Sequence, residues 1–147
     1  KAGNIKKGQF LAPENMAGAV KKIRSTGNDQ ILLTERGTCF GYNKLISDIC
    51  SIPVMQEIGC PVIFDATHVI RNYGIPSEDP RGGSPQFVPH LSRAAVAAGC
   101  NGLFLETHPE PSRAFCDASS MLPLREMENL LRQTKSIHDM MRTWGAV

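Results

Sequence analysis

Four short apolar runs, each closed by polar residues and each followed by a segment of helical spacing, recur along this chain at intervals of about 30 to 40 residues. Strand then helix, four times over, is the pattern of βαβ units around a parallel sheet. No strong internal sequence repetition accompanies it, so the recurrence is one of architecture. The clearest run is CPVIFDATH, residues 60–68. Opened by Pro61, short and rich in β-branched residues, it predicts a parallel-sheet strand covered on both faces, with Asp65, Thr67 and His68 at its C-terminal exit. That exit is where α/β proteins place their sites.

The other elements follow in order. NIKKGQFLAP, from Asn4, predicts a strand closed by Pro13, and ENMAGAVKKIRSTGN a helix with Met16, Val20 and Ile23 on one face and Gly27 as its C-cap. QILLTERG gives a second buried strand, Ile31 to Thr34, ending in Glu35, Arg36 and Gly37. Leu45, Ile46, Ile49, Val54, Met55 and Ile58 predict a helical segment interrupted at Pro53 and ended by Gly59. The Gly/Pro-rich stretch HVIRNYGIPSEDPRGGSP is too long for a simple connection, and loops of that length in compact domains are often functional. A helix over QFVPHLSRAAVAAG, a strand over NGLFLETH and a loop over PEPSRAFCDASSMLP come next. Leu124, Met127, Leu130, Leu131, Thr134, Ile137 and Met141 then mark one face of a last helix.

With 147 residues, 41% hydrophobic and 20% charged, the chain suits one soluble domain with a real core. No apolar run approaches the roughly 20 residues of a membrane span, and the N-terminal KAGNIKKGQF lacks a secretory apolar segment, so a cytoplasmic location with no membrane partner is expected. A formal charge of +2, with basic residues spread along the chain, argues against nucleic acid and leaves room for small anions. Five cysteines with no CxxC pair suggest neither a disulfide framework nor a zinc knuckle. Cys60 and Cys100, each just before a predicted strand, are expected in the core, whereas Cys116 sits in a loop beside Asp117.

All four predicted strands end in polar residues: Lys6 to Gln9, Glu35 and Arg36, Asp65 and His68, Glu106 and His108. Their convergence on one rim is the main functional clue. Lys6, Lys7 and Arg36 read either as a cradle for phosphate and carboxylate or as solvated charge, with Arg36, wedged against Gly37, favouring the cradle. His68, Glu106 and Asp117 are a set that suits a divalent metal such as iron, zinc or manganese, and equally proton transfer through an ordered water. His108, in an HPEP turn, reads as a capping residue, and Phe10, Phe40 and Tyr42 either line a pocket or simply pack. A complete (β/α)8 barrel needs about 250 residues, so four units make about half of one.

KKGQF (6–10), LLTERGTCFGYN (32–43), PVIFDATH (61–68), LFLETHPEP (103–111) and CDASSMLPL (116–124), in this order, resemble 3-deoxy-D-manno-octulosonate 8-phosphate synthase, also called 2-dehydro-3-deoxyphosphooctonate aldolase. The resemblance runs through nearly the whole chain. It implies a fold class: α/β, the C-terminal half of a TIM barrel, with residues 1–147 a single partial-barrel domain lacking the first four βα units. It also implies an activity, the condensation of phosphoenolpyruvate with arabinose 5-phosphate on the route to lipopolysaccharide. The related 3-deoxy-arabino-heptulosonate 7-phosphate synthases share the architecture and the phosphoenolpyruvate chemistry.

Residue by residue, the resemblance makes Lys6 and Arg36 ligands of the phosphoenolpyruvate phosphate and puts Gln9 and Phe10 beside the substrates. His68, Glu106 and Asp117 match three positions that hold a divalent metal in some members and a water in others. The fourth, Cys or Asn on the first strand of the full barrel, has no counterpart here. The chain also departs from the family at Arg71, usually Gln, and at Arg81-Gly82-Gly83, usually Ser-Gly-Gly. Half a site is missing, so the expectation is a chain inactive alone and completed by the other half-barrel or by self-association. The alternative is a silent chain retaining only anion binding or an assembly role. An open half sheet is also expected to leave strand edges and one apolar face exposed.

Overall fold

A computed structural model describes residues 1–145 of the chain. Its centre is a four-stranded parallel sheet built from β1 (Gly3–Lys6), β2 (Ile31–Glu35), β5 (Val62–Asp65) and β6 (Gly102–Phe104), paired in that order. Two small pairs stand beside it: β3 (Thr38–Cys39) antiparallel to β4 (Leu45–Ile46), and β7 (Thr107–His108) parallel to β8 (Leu122–Pro123). The helices are α1 (Met16–Arg24), α2 (Ser51–Gln56), α3 (Val88–Ala97) and α4 (Leu124–Thr143). Each strand of the main sheet is therefore followed by a helix, and spatial order equals chain order, as the recurrence predicts. The sheet is open: α/β with a parallel sheet is what the chain itself shows.

One side of that sheet carries the helix-covered part of the core. Ile31, Leu33, Val62 and Phe64, which point to one face, are buried together with Met16 and Val20 of α1, Ile52 and Met55 of α2, Val88 and Ala95 of α3 and Leu130 of α4. The opposite face carries Asn4, Lys6, Leu32, Thr34, Ile63, Asp65 and Phe104, brought side by side by the register Lys6–Thr34, Thr34–Ile63 and Asp65–Phe104. Leu32, Ile63 and Phe104 stay half-buried and outside the core cluster. The expected exposed apolar face is thus a mixed one, because its polar members pair laterally: Thr34 Oγ1 donates to Asn4 Oδ1 at 2.6 Å, and Lys6 Nζ meets Asp65 Oδ2 at 2.7 Å.

Several boundaries differ from expectation for local reasons. The segment read as an interrupted helix from Leu45 is strand β4 followed by the short helix α2; Pro53, with no N–H and a ring that clashes with the preceding turn, is accommodated only in the first turn, so α2 starts at Ser51. NGLFLETH divides at Phe104, because the Glu106 N–H turns to Thr67 Oγ1 while Leu122 N–H takes the Glu106 carbonyl. β1 ends at Lys6, well short of Pro13. On α4, Leu130 and Thr134 are buried, while Leu124 and Leu131 of the expected apolar face are exposed.

Candidate functional site

The sharp exit of β5 is organised by a single buried carboxylate. Asp65, fully buried, accepts the His68 backbone N–H at 3.0 Å and the Thr67 hydroxyl at 3.2 Å through Oδ1. Through Oδ2 it takes Lys6 Nζ at 2.7 Å and His68 Nδ1 at 2.8 Å. Burial pushes the Asp65 carboxyl upward, but the hydrogen bonds from His68 and Lys6 outweigh it and hold the group below its usual range. An ionised Asp65 requires a proton on His68 Nδ1, which leaves Nε2 facing the other way with its lone pair available when the ring is neutral.

His68 Nε2 faces Glu106 Oε1 at 3.5 Å, and Asp117 completes a trio whose ligand atoms all lie within 4.8 Å of one another. Three loops supply them, after β5, after β6 and before β8. Two acceptors that face each other call for a proton or a cation between them, and Glu106 Oε2 is buried with no hydrogen-bond partner among the described residues. The donor set, one imidazole and two carboxylates, suits zinc, iron or manganese. By type, spacing and that orphaned oxygen, the residues present fit a divalent cation. Asp117 adopts a left-handed backbone (φ 51°), which Asp tolerates better than most residues. Its side chain is already engaged: Arg71 Nη1 lies 2.6 Å from Oδ1.

The loop that carries Asp117 is held by Gly82 and Gly83 of the Gly/Pro-rich stretch. Gly82 and Gly83 pack their backbone against Pro76 and Ser119, so a Cβ at Gly82 would meet the Pro76 carbonyl and one at Gly83 the Ser119 carbonyl. Ser119 N–H donates to the Ser77 carbonyl at 3.1 Å and Ser120 N–H to the Asp117 carbonyl at 2.9 Å. Gly/Pro richness in the sequence was the visible trace of this close approach.

A cleft of about 270 Å3 opens beside the trio, lined by His68, Arg71 and Asp117 together with Gln9, Arg36 and Tyr73. Arg36 follows β2 directly, is half-buried, and joins no ion pair among the described residues. Gln9 Oε1 accepts a hydrogen bond from the Tyr73 hydroxyl. Lys6 stands one step back, its ammonium on Asp65 and 4.0 Å from the Phe104 ring centre. Phe10 is not brought to this cleft: it is 85% exposed and lines a separate groove with Leu11 and Phe40. His108 Nδ1 hydrogen-bonds within its own HPEP turn, as a capping residue should.

Two residues read as rim charge belong to the interior instead. Lys7 is 1% exposed and Glu35 fully buried, 3.7 Å apart on the helix-covered side of the sheet. Glu35 accepts the Gly37 N–H and the Ser51 hydroxyl, both at 2.6 Å, and Lys7 donates to Thr38 Oγ1 and to the Gly8 and Leu11 carbonyls. Strand alternation is the reason: Lys6 and Arg36 point to the open face, so their neighbours Lys7 and Glu35 point away from it. The pair ties the segment just after Arg36 to the loop of residues 8–11 rather than facing a ligand. The sequence also gave no sign that Asp65, Arg71 and Tyr73 would hold His68, Asp117 and Gln9, because these contacts join residues far apart in the chain or side chains of ordinary type.

Comparison with known proteins adds the family. Residues 2–143 match the model of the DAHP synthetase I family. The chain is 57% identical over 137 residues to a 2-dehydro-3-deoxyphosphooctonate aldolase of Syntrophotalea carbinolica, covering 93% of this chain and 49% of that protein. It is 51% identical over 144 residues to the protein of the same name from Thioalkalivibrio sulfidiphilus, covering 98% and 51%. With the one from Protochlamydia amoebophila it shares 48% identity over 143 residues, covering 97% and 51%. The chain spans about half the length of the curated relatives it matches.

Proposed function

The chain belongs to the DAHP synthetase I family, and from that premise we propose that it is the C-terminal half-barrel of a 2-dehydro-3-deoxyphosphooctonate aldolase. Completed by the missing half, it would condense phosphoenolpyruvate with arabinose 5-phosphate. The observation that carries this is the convergence of Arg36, His68, Arg71 and Asp117 on one cleft at the C-terminal ends of β2 and β5, in a chain that matches aldolases of that name.

Arg36, which joins no ion pair among the described residues, is the phosphate ligand, its fork matching a phosphate bidentately, and Lys6 adds a second positive charge while remaining tethered to Asp65. Both neutralise the phosphate as it departs and orient the enol carbon toward the aldehyde. His68, held through Nδ1 by Asp65, presents Nε2 beside Glu106 and, when it carries a proton there, donates it to the aldehyde oxygen as negative charge develops. Gln9, fixed by Tyr73, lines the same cleft beside the substrates. His68, Glu106 and Asp117 would hold a divalent metal, which when bound supplies Lewis-acid polarisation of a carbonyl oxygen. Among the described residues no helix is long and apolar enough to cross a membrane, in keeping with an enzyme of the cytoplasm.

A second reading is a chain that keeps anion binding in the Arg36 cleft but has no turnover. Mixing the chain with the first four βα units of the Syntrophotalea relative and following phosphate release from phosphoenolpyruvate and arabinose 5-phosphate separates the two. Turnover only in the mixture supports the half-barrel reading, and turnover by the chain alone overturns the need for the missing half. In the active mixture, Arg36→Ala should weaken phosphoenolpyruvate binding by roughly 10- to 100-fold, the worth of charge-assisted hydrogen bonds. An unchanged KM and kcat would reject its phosphate role.

A further inference from the structure

Arg71 is placed to oppose any metal at the trio. It begins three residues after His68 and is held by backbone on both sides: its N–H donates to the His68 carbonyl at 3.3 Å, its carbonyl accepts Leu45 N–H at 3.4 Å, and it bridges to Gly83. The side chain is 21% exposed, with Nη1 2.6 Å from Asp117 Oδ1 and Nη2 3.5 Å from the Ile75 carbonyl. Its Nε is buried without a partner, so the guanidinium is fixed by position rather than by a full set of hydrogen bonds. Around the trio the charges are three carboxylates, Asp65, Glu106 and Asp117, and three cations: Lys6 and Arg71, each on a carboxylate, and Arg36, which lines the cleft and joins no ion pair among the described residues. Lys6 is taken by Asp65. Arg71 is thus the one resident cation, among the described residues, on a carboxylate that a metal would need.

We infer that Arg71 and a divalent metal compete for Asp117, so that Arg71 lowers the site's metal affinity by standing in for part of the cation's charge. This rests on the reading of His68, Glu106 and Asp117 as a metal-capable trio, but not on the condensation activity. An alternative role, in which Arg71 orients Asp117 for the metal, has the opposite sign, since removing a group that orients a ligand typically weakens metal binding by 10- to 100-fold.

The test is Co2+ titration of the chelator-treated chain, followed by the visible absorption of bound cobalt, in the wild type, Arg71→Gln, Arg71→Leu and Arg71→Lys. Competition expects Arg71→Gln and Arg71→Leu to bind Co2+ tighter by on the order of tenfold, the worth of the charged hydrogen bond that the metal no longer has to displace, with Arg71→Lys close to wild type. His68→Ala in the Arg71→Gln background should abolish the signal. Equal or weaker binding by the neutral variants, or cobalt absorption that survives His68→Ala, overturns the proposal. A measurement on the wild-type chain needs no variant: saturating Zn2+ should shift the Arg71 Nε–H resonance as the guanidinium leaves Asp117, and an unmoved resonance with Zn2+ bound would overturn it as well. None of these readouts depends on turnover, so an inactive half-barrel leaves the competition fully testable.

Discussion

Lys6 and His68 share one carboxylate oxygen: Lys6 Nζ lies 2.7 Å and His68 Nδ1 2.8 Å from Oδ2 of Asp65. The proposed phosphate ligand and the proposed proton carrier are therefore positioned by the same buried group, across two strands.

Asp65→Asn should loosen both at once. It leaves Lys6 without its counter-charge and should destabilise the chain by about 2–3 kcal/mol, less than a fully buried pair because Lys6 is more than a third exposed. Urea unfolding measures the loss. Nitrogen NMR of His68 should show a proton held on Nδ1 in the wild type and a weaker preference for Nδ1 in the variant; identical spectra would deny Asp65 its orienting role.

The Lys7–Glu35 pair behaves differently because both members are buried. Lys7→Met strands the Glu35 charge and should cost about 3–5 kcal/mol. Adding Glu35→Gln to it should recover part of that loss, since the amide can still accept the Gly37 N–H. A double variant no more stable than Lys7→Met would show that the two do not act as a pair.

Gly83→Ala tests the support of Asp117. The added methyl collides with the Ser119 carbonyl, backbone against which it cannot turn aside, and should cost about 1–3 kcal/mol. Gly74→Ala, with open space around it but a positive φ, controls for conformational strain alone. Thermal unfolding of both variants should place Gly83→Ala well below the control.

Burial pushes the Cys100 thiol up to about 11. A pKa raised on folding contributes stability that is fully present below the unfolded value, about 8.5, and is lost as pH rises through the folded one. Stability should therefore decline between about pH 8.5 and 11, and Cys100→Ala should flatten that decline. At pH 8 a thiol reagent should modify the exposed Cys50 quickly and the buried Cys60 and Cys100 only on unfolding. Cys116, exposed but raised by its hydrogen bond to Asp117, should fall between them.

Element type and order could be read from the apolar runs because each strand and helix buries a contiguous apolar set: Leu33, Val62 and Phe64 announce their strands, and Met16 and Val20 their helix. The candidate residues were legible as types at strand ends. What composition and periodicity could not supply was direction. Lys6 and Lys7, or Glu35 and Arg36, are equally polar neighbours, and only the pleat decides which one faces the cleft. Nor could spacing join Arg71 to Asp117, 46 residues apart. Where a single residue overrules a pattern, as Pro53 does in limiting α2, the pattern misleads until the geometry of that residue is applied.

The open face of the sheet, where Asn4 binds Thr34 and Lys6 binds Asp65, has a kinetic consequence. Misassembly feeds on contiguous greasy surface, and here Leu32, Ile63 and Phe104 are islands separated by polar pairs that already satisfy one another. A stray hydrophobic partner gains little by landing there and would have to strip ionic and hydrogen-bonded groups of water to do so. A half-barrel that brought its own polar partners in register would avoid that penalty, and one that did not would leave these groups unpaired.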